Sequence, residues 1–308
     1  MVAVQDGSRK AIIAAFFANM GIAVAKFIGF LLTGSAGLLA ETGHSIADTG
    51  NQGLLMFGAK RGSRPADRAH PFGYGPERYF WSFVVALVLF SMGGLFALYE
   101  GIKKVSNPHE VDSAFIAYGI LGISIALETF SLRTAVKEAN HVRGERSWWN
   151  FIRTAKAPEL PVVLLEDVGA EIGLLFALAG LSMAEITGDG RWDAVGSIAI
   201  GVLLVTIAII LAVEMKGLLI GEAASDNDLT AIYASLAGSD QVNGVIHLRT
   251  MHLGPDQLLV AAKLEFDPAL DVAQLAVAID GAEARLREAV PIAGLIYIEP
   301  DIRRETSA

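Results

Sequence analysis

Two polar residues four positions apart, His44 and Asp48, stand inside the apolar stretch GLLAETGHSIADTGNQGLLMFGA. Residues at i and i+4 share one face of a helix, so the imidazole and the carboxylate point the same way. A charged group at bilayer depth costs about 2.5 kcal/mol or more, whereas His nitrogen and Asp oxygen are usual zinc ligands. Glu41 extends the same polar stripe. The spacing indicates a divalent-cation site; the alternative is a packing hydrogen bond between buried polar groups.

A second acidic set lies in another apolar stretch, PVVLLEDVGAEIGLLFALAG, at Glu166, Asp167 and Glu171. Asp167 and Glu171 are four apart and share a helix face, whereas Glu166 points about 100° away from Asp167. Carboxylates at this depth face protein or water rather than lipid. We interpret them as ligands for the same divalent cation. The alternative is ion pairing with a neighbouring helix, for which Lys26 is the candidate.

A third pair, Asp67 and His70, lies in the basic segment RPADRAHPFGYGPERY. Asp and His three residues apart can bind a metal weakly, but in a solvated loop a surface pair or a turn is the usual interpretation. We favour the surface pair and keep both residues as weaker candidate ligands. The chain has no cysteine, so any metal must be held by His, Asp, Glu, backbone or water.

The whole chain is apolar in composition. Its 308 residues are 53% hydrophobic, and its mean hydropathy is +0.48. That composition is typical of a membrane protein with a soluble part. Six apolar stretches have about the 20 residues that a membrane-crossing helix needs. They are Ala11–Leu32, Ala36–Ala59, Tyr79–Ile102, Ser113–Leu132, Leu160–Ile186 and Trp192–Met215.

Positive charge is concentrated in two of the connections between these stretches. The connections Ala59–Arg78 and Arg133–Lys156 hold 11 Lys and Arg residues, against 3 in the connections on the opposite side. By the positive-inside rule, both termini are expected in the cytoplasm. The first residues, MVAVQDGSRK, do not resemble a leader peptide. We therefore expect a multi-pass protein of a prokaryotic plasma membrane, in contact with lipid.

After Lys216 the pattern changes to that of a small α+β domain. VIHLRTMHLG and QLLVAAKLEFD are typical of two strands joined by a turn at Gly254-Pro255, and GLIYIEP of a third strand. With helices predicted over Asn227–Leu236 and AQLAVAIDGAEARLREAV, the order is αββαβ. We place a six-helix transmembrane domain at residues 8–216 and a cytoplasmic domain at 217–308. The 14 acidic against 6 basic residues of that tail argue against a nucleic-acid partner.

Taken together and in this order, these segments resemble the cation diffusion facilitator family. GSAGLLAETGHSIADTGNQ matches the second membrane helix of that family, HPFGYGPERY the loop after it, and LLIGEAA the approach to its cytoplasmic domain. LLEDVGAEIG and LRTMHLGPDQLLVAAKLEF are most similar to the branch that contains the mitochondrial zinc exporter of animals. The resemblance covers nearly the whole chain. It implies a metal/proton antiporter with six transmembrane helices, a ferredoxin-like cytoplasmic domain and a homodimeric assembly.

The resemblance also implies which residues form the transport site, namely His44 and Asp48 from the second membrane helix and Asp167 from the fifth. Most members have a fourth ligand one turn before the last Asp, where this chain has Val163. Valine cannot bind a metal. Either three protein ligands and water hold the cation, or Glu166 turns in to complete the site.

The other metal sites of the family are reduced in this chain. Tyr74 stands where a second loop histidine often occurs, and Ile246, Lys263 and Ile298 occupy the positions that align with the cytoplasmic histidines. We therefore expect the cytoplasmic domain to dimerise without a tight binuclear metal site.

Zinc/proton antiport, by alternating access to a site between the second and fifth membrane helices, is the predicted function. The histidine favours zinc, while the acidic fifth helix also permits manganese, iron(II) or cobalt as the cargo. No organic cofactor is expected. The chain has no HExxH sequence and no nucleophile constellation, so we do not expect an enzyme. A membrane metal sensor that binds without transporting is the alternative.

Overall fold

The computed structural model describes residues 19–108, 114–238 and 241–302. These residues divide into two compact units. The first holds the described residues up to Ala59 together with Phe80–Arg153 and Pro158–Met215. The second holds the tail from Lys216 onward and, in addition, the two loop segments Lys60–Tyr79 and Thr154–Ala157.

The first unit is helical. Among the described residues, three helices are long and apolar enough to cross a membrane, Pro76–Ser106, Ala114–Arg143 and Arg191–Ile220, and a shorter apolar helix spans Asn19–Thr33. Each predicted apolar stretch falls on one helix, although residues 11–18 of the first stretch and Ser113 of the fourth lie outside the described residues. The helices are α1 (Asn19–Thr33), α2 (Ala36–Gly62), α3 (Pro76–Ser106), α4 (Ala114–Arg143), α5 (Trp148–Thr154), α6 (Glu159–Thr187) and α7 (Arg191–Ile220).

The helices α2 and α6 carry the candidate ligands, and their lengths of 27 and 29 residues are enough to cross a bilayer. Polar residues mark where such helices begin. The Ser35 hydroxyl accepts a hydrogen bond from the Leu38 amide at the start of α2, the usual role of a serine N-cap. At the start of α3, Pro76 occupies the first turn with Glu77, a favourable pairing of fixed φ and negative charge.

Glycines let α3 and α7 approach closely. A Cβ added at Gly94 would lie 3.0 Å from the Val205 nitrogen, and one at Gly201 would lie 2.8 Å from the Leu98 nitrogen. Such backbone contact is how helices pack where lipid removes the hydrophobic drive between them. Around it lies the apolar core of the unit, whose buried members include Leu38, Leu89, Leu121, Leu174, Ile200, Leu204 and Leu211.

One buried carboxylate joins three helix ends. Asp193, in the first turn of α7, accepts hydrogen bonds from the Ser35 hydroxyl at 2.6 Å, the Ala36 amide at 2.6 Å and the Lys104 ammonium at 2.8 Å. Lys104 also donates to the Gly34 carbonyl at 2.8 Å. Both oxygens of the carboxylate are satisfied. The cluster therefore connects the start of α2, the end of α3 and the start of α7.

The tail in the second unit forms an α+β domain with the predicted order αββαβ. Strands β1 (Val242–Gly254) and β2 (Gln257–Phe266) pair antiparallel around the turn at Pro255, and β3 (Leu295–Asp301) pairs parallel with β2, giving the sheet order β1-β2-β3. Ser225 caps the first helix, and Asp271 with Gln274 forms a capping box on the second. These helices are α8 (Asp226–Ala237) and α9 (Val272–Ala289).

The two loop segments of the second unit are bound to this domain by charge and by close packing. Arg78 donates to Asp256 at 2.7 Å, at the turn between β1 and β2. Lys156 pairs with Glu222 just before α8. A Cβ at Gly75 would collide with the Leu253 carbonyl oxygen, so only glycine fits there. The predicted boundary at residue 216 did not anticipate that these loops pack with the tail.

Candidate cation site

A small cavity lies between four helices of the first unit. Its volume is about 20 Å³, enough for one water-sized particle. Three of its walls are acidic, since α2 contributes Asp48, α4 contributes Glu128 and α6 contributes Glu166 and Asp167. The remaining lining residues are Asn19, Ile22, Ser45, Gln52 and Val163.

His44 and Asp48 face each other on α2, but only Asp48 is among the described residues that line the cavity. Their side chains are 3.4 Å apart, from Nε2 to Oδ2, and the imidazole is fully buried. Within the described part of the chain, neither ring nitrogen of His44 has a hydrogen-bond partner, and Asp48 Oδ1 has none either. A buried polar atom without a partner costs about 1–3 kcal/mol. Such atoms beside a cavity indicate a site for a ligand that bonds to them.

The two acids of α6 line the same cavity, and each is held by one polar neighbour. The Asn51 amide donates to Glu166 Oε1 at 2.6 Å, and the Ser131 hydroxyl donates to Asp167 Oδ2 at 3.0 Å. Val163, one turn before Asp167, also lines the cavity. Among residues 19–108, 114–238 and 241–302, no three His, Asp or Glu side chains are close enough to hold a metal ion. The arrangement therefore gathers the candidate ligands without placing them in coordination geometry.

Two weaker candidates bond elsewhere. Glu41 forms an ion pair with Lys26 at 3.1 Å, and both side chains are fully buried. Glu171 accepts a hydrogen bond from the Thr129 hydroxyl at 2.9 Å. Neither acid is among the described residues that line the cavity. The alternative of ion pairing with Lys26 thus applies to Glu41 rather than to the acids of α6.

The loop pair Asp67 and His70 forms an exposed turn. The carboxylate accepts from the Tyr74 hydroxyl at 2.8 Å and from the amides of Ala69 and His70 at 2.9 and 2.8 Å. The Tyr74 hydrogen bond is the main reason that the pKa of Asp67 is lowered, and the same bond raises the pKa of Tyr74. His70 Nδ1 is 3.7 Å from Asp67 Oδ1. This geometry agrees with the favoured interpretation of a surface pair.

Sequence reasoning missed two residues that shape the site. Glu128 is a single acid in the apolar stretch AFIAYGILGISIALETF of α4, and it lines the cavity. Asn51, fully buried on α2, orients Glu166 through the 2.6 Å hydrogen bond. A charge at bilayer depth is itself a signal, so the rule applied to His44 would have found Glu128. Asn51 carries no such signal.

Comparisons with known proteins give two family matches and several relatives. The cation efflux transmembrane domain matches residues 12–220, and the cytoplasmic domain of cation efflux proteins matches residues 224–301. The human protein named proton-coupled zinc antiporter SLC30A9, mitochondrial, is 29% identical over 79% of this chain and 43% of its own length. Metal tolerance protein C4 of Arabidopsis thaliana is 28% identical over 84% of this chain and 57% of its own length.

A prokaryotic relative matches over most of its length. Magnetosome protein MamB of Magnetospira sp. is 27% identical over 79% of this chain and 78% of its own length. A solved structure of the MamM CTD is 22% identical over 25% of this chain and 93% of that chain, with a TM-score of 0.24. This chain spans about half the length of the animal and plant relatives that it matches.

Proposed function

This chain belongs to the cation efflux, or cation diffusion facilitator, family, and on that premise we propose that it exports a divalent metal ion across a membrane in exchange for protons. The observation that carries the proposal is the cavity between α2 and α6, which is lined by Asp48, Glu166 and Asp167. Beside Asp48 lies the buried His44, whose ring nitrogens have no hydrogen-bond partner among the described residues. A relative bears the name of a proton-coupled zinc antiporter, and zinc is the cargo we propose first.

The proposed ligands are His44 and Asp48 of α2 with Asp167 and Glu166 of α6. Glu166 takes the place of the fourth ligand that Val163 cannot supply. Asn51 bonds one oxygen of Glu166 and Ser131 one oxygen of Asp167, so each acid keeps a second oxygen with which to bind the cation. Rotation of these side chains converts the gathered residues into a coordination sphere.

Proton exchange follows from the chemistry of these ligands. Carboxylates and imidazole bind a metal only when deprotonated, so metal and protons compete for the same atoms. Loading from the cytoplasm releases protons, and protons from the other side displace the metal. Alternate exposure of one site by rocking helices is the established way for a secondary transporter to couple two such events.

The identity of the cargo depends on the balance of nitrogen and oxygen ligands. His44 favours zinc, because an imidazole nitrogen is a better ligand for zinc than for cations that prefer oxygen ligands. The acids at Asp48, Glu128, Glu166 and Asp167 make the cavity rich in oxygen, which also suits manganese, iron(II) or cobalt. We propose zinc, with these three metals as the alternative cargoes.

The setting we propose is a prokaryotic plasma membrane, with both termini in the cytoplasm and two copies of the chain forming a dimer. Residues 8–216 form the transport domain and residues 217–308 the cytoplasmic domain. No enzymatic step and no organic cofactor are part of the proposal. A sensor that binds the metal without moving it is the competing function.

Metal uptake into proteoliposomes with a pH-sensitive dye inside tests the proposal. Zinc, manganese, iron(II) and cobalt are each offered to the full-length protein and to the variants His44→Ala and Asp48→Asn. We expect zinc flux coupled to opposite proton flux, reduced about a hundredfold or more in both variants because each removes a ligand.

Matched controls are His141→Ala and Asp280→Asn, which change the same residue types at exposed positions. Both should keep the wild-type flux. Flux of another metal alone would keep the antiport and replace the cargo. Metal binding without any flux would favour the sensor, and full flux in His44→Ala and Asp48→Asn would contradict the site.

A further inference from the structure

A lysine lies fully buried behind the wall of the candidate cation cavity. Lys26 of α1 has no exposed side-chain surface, and its ammonium contacts residues of two other helices. It lies 3.1 Å from Glu41 Oε2 and donates to the Ser45 hydroxyl at 2.8 Å, both on α2. It also lies 4.0 Å from Glu128 Oε1 on α4. The Lys26 ammonium therefore lies within 4.0 Å of two carboxylates.

Two of these contacts belong to the cavity itself. Ser45 and Glu128 line the cavity together with Asp48, whereas Glu41 and Lys26 are not among its described lining residues. The Glu41 carboxylate extends away towards α6, where a Cβ at Gly173 would lie 2.5 Å from its Oε1. Lys26 is thus placed between an acid outside the cavity and an acid in its wall.

The positive charge of Lys26 affects how strongly the cavity attracts a divalent cation. Besides the acids that Lys26 contacts, the carboxylates facing the cavity are Asp48, Glu166 and Asp167. A fixed positive charge several ångströms away repels a divalent cation, and in a buried site that repulsion is weakly screened. Its presence also cancels one of the two negative charges of Glu41 and Glu128.

Lys104 shows what a purely structural buried lysine looks like in the same unit. Its partner Asp193 has both oxygens hydrogen-bonded, and neither residue is among those described as lining the cavity. Glu41 differs, because its Oε1 has no hydrogen-bond partner in the described ranges. The Lys26 group is therefore incompletely satisfied where the Lys104 group is complete.

We propose that Lys26 is an internal counter-cation that sets the net charge which the cavity presents to its divalent cargo. It acts through Glu128 and Ser45 and is a positioning residue, since it does not itself bind the metal. This inference rests on the proposed function, because it assigns a role at the same site.

A series of variants that changes this charge in single steps tests the inference. Lys26→Met makes the group more negative by one unit, and Glu128→Gln makes it less negative by one unit. The double variants Lys26→Met/Glu41→Gln and Lys26→Met/Glu128→Gln restore the wild-type charge. Zinc affinity and the number of protons released per zinc bound are measured by calorimetry on the full-length protein in detergent, in buffers of different ionisation enthalpy.

Affinity should follow the net charge rather than the identity of the mutated residue. We expect Lys26→Met to bind zinc about tenfold tighter, or to release one more proton per zinc, and Glu128→Gln to bind about tenfold more weakly. A tenfold change, about 1.4 kcal/mol, is the smallest effect that we expect, because two unit charges about 4 Å apart already interact more strongly than that at an effective dielectric constant of about 20. Both double variants should return to the wild-type affinity and proton count.

The Lys103→Met/Glu100→Gln variant is the matched control, because it removes a lysine–glutamate pair that is not among the described residues lining the cavity, and it should bind zinc like the wild type. If Lys26→Met does not fold, the weaker binding of Glu128→Gln and its reversal in Lys26→Met/Glu128→Gln still test the proposal. Unchanged affinity and proton count in Lys26→Met, or failure of folded double variants to restore them, would overturn the role of Lys26. Absence of zinc binding by the wild type would instead overturn the proposed function.

Discussion

At the scale of single residues, Val163 is the position where the candidate site has room for a stronger ligand. It lies one turn before Asp167 and lines the same cavity, so a side chain with a metal-binding atom there would join His44 and Asp48. We expect Val163→His to bind zinc about tenfold tighter and to lower the maximal rate of zinc transport, because release becomes slower. Equilibrium zinc titration and proteoliposome flux measure the two effects.

Val163→Leu is the control for a change of volume without a new ligand. It should leave zinc affinity close to that of the wild type. A Val163→His variant that folds and transports like the wild type would mean that position 163 does not face the bound cation.

Residue-level reasoning predicted which polar residues lie close together on one helix, but not their partners on other helices. His44 and Asp48 could be paired from sequence because a helix fixes residues four apart on one face. The contact of Glu41 with Lys26 joins residues 15 positions apart on different helices, and helix periodicity does not specify it. Glu128 stands alone in its stretch of sequence, so no spacing pattern drew attention to it.

At the scale of elements, the close packing of α3 against α7 predicts that replacing a glycine at their contact destabilises the protein. We expect Gly201→Ala to destabilise the protein by about 1–3 kcal/mol, because its Cβ would lie 2.8 Å from the Leu98 nitrogen and backbone cannot yield as a side chain can. The melting temperature in detergent should fall by roughly 2–10 °C.

Gly119→Ala on α4 is the matched control, since a Cβ there meets nothing within 4 Å among the described residues. Alanine is a better helix former than glycine by roughly 0.5–1 kcal/mol, so this variant should melt at the same temperature or slightly higher. Equal destabilisation by both substitutions would argue against close backbone packing of α3 and α7.

The existence of the elements could be predicted from periodicity, but their packing could not. Apolar stretches of about 20 residues and the αββαβ pattern each carry a local signal. The packing of Lys60–Tyr79 with the tail depends on Arg78 meeting Asp256, which lies 178 residues further along the chain. Contacts between residues so far apart in the chain cannot be predicted from the local periodicity of apolar and polar residues.

At the scale of the whole molecule, the cytoplasmic domain makes a prediction about assembly. Ile246, Lys263 and Ile298 stand where we aligned the histidines of a binuclear site, and Lys263 instead pairs with Glu299 at 3.0 Å and Asp301 at 3.1 Å. These carboxylates raise the pKa of Lys263, and the ammonium occupies the carboxylate oxygens that a metal ion would need.

We therefore expect the full-length protein to remain a dimer after exhaustive treatment with a metal chelator. Light scattering coupled to size exclusion in detergent measures the mass with and without added zinc. Dissociation on chelation, reversed by zinc, would show that a metal stabilises the dimer.

The Asp193 cluster has a mechanical consequence for the helices that it joins. Hydrogen bonds among Ser35, Lys104 and Asp193 hold the ends of α2, α3 and α7 together at one point. We call this point the fulcrum, because the helices can tilt about it. Asp48 lies 13 residues along α2 from Ser35, about 20 Å at the rise of an α-helix. A tilt of about 10° about this fulcrum would displace Asp48 by roughly 3 Å, the scale of a metal–ligand bond, while hardly moving the anchored end. A small rotation about the Asp193 cluster would therefore change the distances between candidate ligands by as much as the length of a metal–ligand bond.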